Sequence, residues 1–188
     1  MTKKIYQLEI VLKDYNPKIW RRILINSDIL LVDFHRIIQT TMGWTNSHLH
    51  LFNDGIDYYS PREFEVEETK DSRTVKLSEI FNLEKQCLQY QYDFGDFWEH
   101  EIYLEKIIEN DEIHQIPCCI DGERSCPPED CGGTFGYEEL LIVMSDKKHE
   151  EYKETKTWVG RNFKPEFFDI EKTNKLLKKK DFGCIWLE

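Results

Sequence analysis

The sequence predicts an α+β protein: a β-grasp-like (ubiquitin-like) mixed sheet with one packed helix, plus a helical C-terminal cap. Three observations predict it. Two stretches of alternating apolar residues open the chain as a hairpin, and a segment at helical spacing follows. Further strands come next, and helical patterns return only after a stretch rich in Cys, Pro and Gly.

In the first strand Tyr6, Leu8, Ile10 and Leu12 share one face, with Gln7, Glu9 and Lys13 on the other. Asp14-Tyr15-Asn16-Pro17 turns the chain, and Ile19, Arg21, Ile23 and Ile25 continue the hairpin. Ser27 or Asp28 can cap a helix carrying Leu30, Leu31, Phe34, Ile37, Ile38 and Met42, which Gly43 ends. A strand from His48 to Phe52 turns at Asn53-Asp54-Gly55 and returns through Ile56 to Tyr59. Residues 61–75 are charged and read as an exposed loop, and Leu77 to Phe81 as a short helical turn. Leu88, Tyr90, Tyr92 and Phe94 alternate toward a turn at Gly95-Asp96, and Trp98 to Ile108 returns.

Gln115 to Gly136 reads as a loop held by something other than secondary structure. Helices are expected at Tyr137–Met144, Glu150–Val159 and Ile170–Lys179, with a last strand at Phe182–Leu187. The division is a sheet domain over 1–110 and a loop with a helical cap over 111–188, packed together as one unit.

The chain has 188 residues, of which 40% are apolar, enough for a core without disulfide staples. Its 25 basic residues against 36 acidic ones leave a net charge of −11, which repels a phosphate backbone and argues against nucleic acid. The lysines from Lys172 to Lys180 alternate with Leu176 and Leu177 and read as the wet face of a helix. No stretch approaches a membrane span, and the opening residues run straight into a strand pattern. A cytoplasmic location is the expectation, with the six cysteines reduced or metal-bound.

Three clusters could carry chemistry. Around the Tyr92–His100 turn, Asp93, Asp96 and His100 bring two carboxylates and an imidazole together. Strand parity puts Trp98 and His100 on the apolar face, so His100 should point inward, with Asp93 or Asp96 as its partner. The structural alternative is that the aspartates tie the turn and His100 is a core residue. His48 and His50 alternate onto one side of a strand and could chelate one ion; alternatively they flank a face opposite Leu49 and Leu51. Cys119, Cys126 and Cys131, with His100, could form a zinc site of three thiolates and one imidazole, although paired knuckle spacing is missing. No cysteine stands out as a nucleophile, and adjacent Cys118-Cys119 would pair only with strain.

The blocks Pro17-Lys18-Ile19-Trp20-Arg21-Arg22, Phe34-His35-Arg36-Ile37-Ile38-Gln39, Met42-Gly43-Trp44 and His48–Phe52 resemble the first half of the plasmid pRiA4b ORF-3-like family. Tyr92–Asp96, Trp98-Glu99-His100, Cys126–Gly133 and Gly136-Tyr137 resemble its centre, and Trp158, Phe168-Asp169 and Asn174 its tail. Asp33-Phe34-His35 departs mildly from a commoner Leu-His pair. The resemblance implies a shared fold without an established activity; some members are labelled transposon passenger proteins, which implies genetic company and no recombinase chemistry.

The leading functional expectation is a non-enzymatic binding or adaptor module associated with mobile elements. Its surface would comprise Trp44, His48, His50, Asp93, Asp96, Trp98, His100, Glu129 and Asp130 and take a protein or small ligand. The alternatives are a zinc-binding protein and a metal-dependent hydrolase-like enzyme, with Glu99 or Glu129 as base.

Overall fold

In a computed structural model of the chain, residues 4–109, 115–160 and 162–184 are described. Eight strands form one sheet: β1 (Lys4–Leu12), β2 (Trp20–Asn26), β3 (His50–Asn53), β4 (Tyr58–Ser60), β5 (Thr69–Asp71), β6 (Cys87–Tyr92), β7 (Trp98–Glu109) and β8 (Cys118–Glu123). Their order is β5-β4-β3-β6-β7-β1-β2-β8. Every pairing is antiparallel except β4 with β5 at one edge. The α+β class is therefore as the sequence predicts. The β-grasp likeness extends only to the hairpin–helix opening, because β1 is antiparallel to both its neighbours in a sheet that runs to eight strands.

Antiparallel sheets can leave one face wet, and this one does. Leu8, Ile10 and Leu12 of β1, Ile23 and Ile25 of β2, and Ile102 and Leu104 of β7 are fully or almost fully buried. Helix α1 (Leu31–Met42) supplies Phe34, Ile37 and Ile38 to the same core. On the opposite face Arg22 meets Glu9, Glu105 and Asp121, a charged lattice across β1, β2, β7 and β8.

Four local expectations are corrected. Neither Ser27 nor Asp28 caps α1; Leu30 stands at the N-cap without a side-chain bond, and the Leu31 N–H donates to Val75 C=O at 3.0 Å. Gly43 does end the helix, at φ 98°, with its N–H bonded to Gln39 C=O. Residues 61–75 are not loop throughout, since β5 pairs there with β4. The thiol-rich stretch likewise contains β8, which pairs with β2 through Trp20↔Glu123 and Ile23↔Cys119. An edge strand needs only one hydrogen-bonded neighbour, so Cys118–Glu123 can form it without regular alternation. That pairing carries the sheet across the division expected near residue 110.

Of the final strand expected at Phe182–Leu187, Phe182 and Gly183 lie in a 3-10 turn packed on α1, where Thr40 Oγ1 donates to Phe182 C=O at 3.0 Å. Residues 185–187 lie outside the described residues. After β8 come α3 (Gly133–Ser145), α4 (Tyr152–Trp158) and α5 (Ile170–Leu177), following the four-residue α2 (Leu77–Ile80) earlier in the chain. No helix among the described residues is long and apolar enough to cross a membrane.

Candidate functional site

Three segments converge at one end of the sheet: the approach to β3, the β6–β7 turn and the Pro127–Gly132 loop. The turn holds itself in shape. Asp93 sits at φ 60° and its Oδ1 accepts the Gly95 N–H at 2.8 Å, while the Phe97 N–H donates to Asp93 C=O at 2.8 Å. The loop is anchored from both sides. Trp44 Nε1 donates to Pro127 C=O at 3.0 Å, and the Gly132 N–H donates to Asp96 Oδ2 at 3.1 Å. Gly133, at φ 69°, lies against Asp96, where a Cβ would meet the Asp96 carbonyl oxygen at 2.8 Å.

This convergence places His48 among three carboxylates. Its Nδ1 is 3.7 Å from Asp93 Oδ2, and its Nε2 is 3.1 Å from Asp130 Oδ1 and 3.6 Å from Glu129 Oε2. His48 Nε2 is enclosed yet makes no aligned hydrogen bond, so the approach to Asp130 is a close contact of two groups aimed past each other. One donor atom each from His48, Asp93 and Asp130 lies within 4.8 Å of the others. Glu129 is held in place by the Thr45 N–H at 2.7 Å, Thr45 Oγ1 at 3.0 Å and the Tyr92 hydroxyl at 3.1 Å. Burial and the neighbouring Glu129 carboxylate push the Tyr92 hydroxyl well above its ordinary pKa, so it stays a donor.

The other expected site residues are placed differently. His100 points inward, 1% exposed, as parity predicts, but its partner is neither aspartate. Its Nδ1 lies 3.1 Å from Trp98 C=O, and its ring meets Trp44 edge-on at 5.2 Å. Burial lowers its pKa to about 4. Asp93 and Asp96 instead serve the turn and the loop. His50 does not share an ion with His48; it is buried and stacked on His35 at 3.4 Å between centroids. It is His50 and Phe52 that face the core, while Leu49 is 40% exposed, because β3 pairs His50 with Tyr92 and Phe52 with Tyr90. Trp98 is buried beside Trp44 at 6.2 Å and is no surface residue.

The thiol set is dispersed. Among the described residues, Cys119, Cys126, Cys131 and His100 do not gather as ligands of one ion. Cys119 Sγ donates to Asp121 C=O at 3.2 Å inside β8, and burial raises the thiols of Cys119 to about 11 and Cys131 to about 12. Thiols so protonated are poor nucleophiles. The reason is topological: β8 carries Cys119 into the sheet, away from the loop that bears Cys131.

Two functional neighbours escaped the sequence reading. His35 bonds the Tyr90 hydroxyl at 2.9 Å and Asn46 Oδ1 at 2.7 Å, with Gln39 Nε2 donating to the same hydroxyl at 3.0 Å. Its spacing of four from Gln39 on one helix face was the available signal. Arg21 is buried among apolar residues of β2, and its parity with Ile19, Ile23 and Ile25 was a signal left unused.

The fold places the chain in the class of α+β proteins built on a single mixed sheet, with this acid–imidazole pole at one end of it. The chain belongs to the plasmid pRiA4b ORF-3-like protein family, whose model matches residues 4–172. It is 34% identical over 162 residues to the uncharacterized protein y4hQ of Sinorhizobium fredii (strain NBRC 101917 / NGR234), covering 85% of this chain and 83% of that one. Among solved structures, the crystal structure of a protein of unknown function, MM3350 from Methanosarcina mazei Go1, superposes with a TM-score of 0.83 at 38% identity. The match covers 91% of this chain and 98% of that one.

Proposed function

We propose that the protein is a non-enzymatic, cytoplasmic binding module whose ligand-binding pole is organised by a divalent cation at His48, Asp93 and Asp130. The observation that carries this reading is His48, whose ring lies among three acids from two chain segments with an enclosed Nε2 and without an aligned hydrogen bond to any of them. An imidazole nitrogen with carboxylate oxygens suits a first-row ion such as Mn²⁺ or Zn²⁺. Glu129 borders the site and is held by Thr45 and Tyr92, so it can complete the ligand set or contact a bound partner.

A hydrolytic reading has less support, because the nearby imidazole His100 is sealed in the core and bonded to a backbone carbonyl. An association with mobile elements accords with the plasmid in the family's name, which says nothing of an adaptor role, and it adds no chemistry of its own.

Calorimetric titration of the full chain with Mn²⁺ and with Zn²⁺ tests the proposal. One ion per chain is expected, with affinity reduced about ten-fold or more in His48→Ala and Asp93→Asn. Unchanged binding in both variants would remove the site. Loss of zinc only in Cys126→Ser would move it to the thiol loop.

A further inference from the structure

Arg21 presents an accounting problem. Its side chain is 1% exposed, yet no carboxylate among the described residues pairs with it. A guanidinium carries five N–H donors. Nε donates to Thr41 C=O at 2.8 Å, and Nη1 donates to Trp20 C=O at 2.7 Å and to Glu123 C=O at 2.8 Å. Those bonds use three donors, all on neutral carbonyls, and leave the two on Nη2 without an acceptor among the described residues. Phe168 covers one guanidinium face at 3.8 Å, and Nη2 is the nitrogen left without a protein partner among the described residues. A buried cation lacking a counter-charge is costly to keep and is retained where something else supplies the anion.

Arg21 lines a cleft of about 500 Å³, a volume within the usual range for a small-molecule site. The lining mixes polar side chains with the apolar ones of Phe163, Phe167, Phe168 and Pro127, and Lys172 stands exposed among the lining residues. Two acids also line the cleft and both are engaged: Glu129 by Thr45 and Tyr92, and Asp169 by the Lys172 N–H as the α5 cap. The fold keeps room for this arrangement at Gly122, where a Cβ would lie 2.9 Å from Phe168 and 3.0 Å from Arg21. With Arg21 and Lys172 set against Glu129 and Asp169 the lining is balanced in charge, and what marks the cleft is a buried guanidinium with an unpaired edge beside aromatic side chains.

We infer that the Arg21 cleft binds a small organic anion, a carboxylate carried on an apolar or aromatic body, with the carboxylate at Arg21 Nη2 and the body against Phe163 and Phe167. Charge-assisted pairing at a planar guanidinium favours such a group over its neutral analogue. The cleft shares Glu129 with the rim of the cation site, but the inference rests on Arg21 and does not need a cation bound there.

Titration of the full chain with benzoate, benzamide and inorganic phosphate, in the presence of EDTA, tests it by calorimetry, with the change in tryptophan fluorescence, to which Trp44 on the cleft lining contributes, as a second readout. Benzoate should bind about ten-fold or more tightly than benzamide. Lys172→Glu, on an exposed position, should weaken benzoate several-fold and leave benzamide unchanged, and Phe163→Ala should weaken both. Arg21→Lys should abolish the preference for the anion; because that variant removes backbone bonds, Lys172→Glu and Phe163→Ala provide the decision if it does not fold. Equal binding of benzoate and benzamide would overturn the inference, as would no saturable response to benzoate. Phosphate binding as tightly as benzoate would overturn the organic part by showing an inorganic anion site.

Discussion

Asn174 of α5 closes both backbone hydrogen bonds of Cys119 on the edge strand β8. Its Oδ1 accepts the Cys119 N–H at 2.8 Å and its Nδ2 donates to the Cys119 C=O at 2.8 Å. The amide thus stands where a ninth strand would, and it blunts an edge that could otherwise template pairing with another chain. It also fastens the C-terminal cap to the sheet, which positions the wall of the Arg21 cleft.

Replacing Asn174 with Ala should therefore cost about 1–3 kcal/mol, two modest bonds with part of the desolvation of the groups left behind. Urea unfolding of the variant measures this. Asn174→Asp can keep the acceptor but not the donor, so it should fall between the two; stability equal to the parent in both variants would show that the pairing is incidental.

Gly136 gives a sharper expectation. A Cβ there would sit 1.9 Å from the Cys131 carbonyl oxygen, so the loop and the start of α3 cannot both keep their places. Gly136→Ala should destabilise by about 2 kcal/mol or more and displace Asp130 from His48. Cation affinity and the thermal midpoint should fall together; a variant with parental values for both would contradict the packing described.

Acid should weaken the fold before the carboxylates titrate. Burial holds His35 and His100 at about 4, and burial with the neighbouring His35 lowers His50 well below its ordinary value near 6.5. Between those values the unfolded chain takes up protons that the folded chain refuses, so stability falls as pH drops from about 6.5 toward about 4. The slope approaches about 1.4 kcal/mol per pH unit for each imidazole in that window. Lower still, Glu105, held down chiefly by Arg22, adds a loss of the same sign as it is protonated. Urea midpoints that stay flat from about pH 7 to about pH 5 would mean these rings are not sealed as the structure has them.

Asp93→Asn separates turn geometry from charge. The asparagine can still accept from Gly95 N–H and tolerates the positive φ, so the metal-free fold should change by less than about 1 kcal/mol. The parent should gain about 2.7 kcal/mol at a cation concentration of about 100 times its dissociation constant, and the variant should gain much less at the same concentration. Thermal unfolding with and without Mn²⁺ reads both.

Much of the frame was legible because strand and helix periods are local. Alternation through Tyr6–Leu12, Leu88–Tyr92 and Trp98–Leu104 named the buried face residue by residue, and it placed His100 inside. Edge elements were not legible. Cys118–Glu123 and Thr69–Asp71 form strands because a neighbour offers hydrogen bonds, and their own residues carry no regular alternation. The candidate site was legible only in part: His48, Asp93, Glu129 and Asp130 stand out in the sequence, yet grouped with residues that the fold seals away.

The sequence alone determined the class of fold, the buried faces of its long strands, the helix stop at Gly43 and the acidic balance of the surface. These follow from side-chain period, backbone freedom and charge, which each segment carries with it. Only the tertiary structure decided that His48 faces acids from two distant loops, that His50 stacks on His35, that the thiols disperse and that Arg21 ends beside an aromatic cleft. Those outcomes depend on which strand pairs with which and at what register, information spread over residues far apart in the chain.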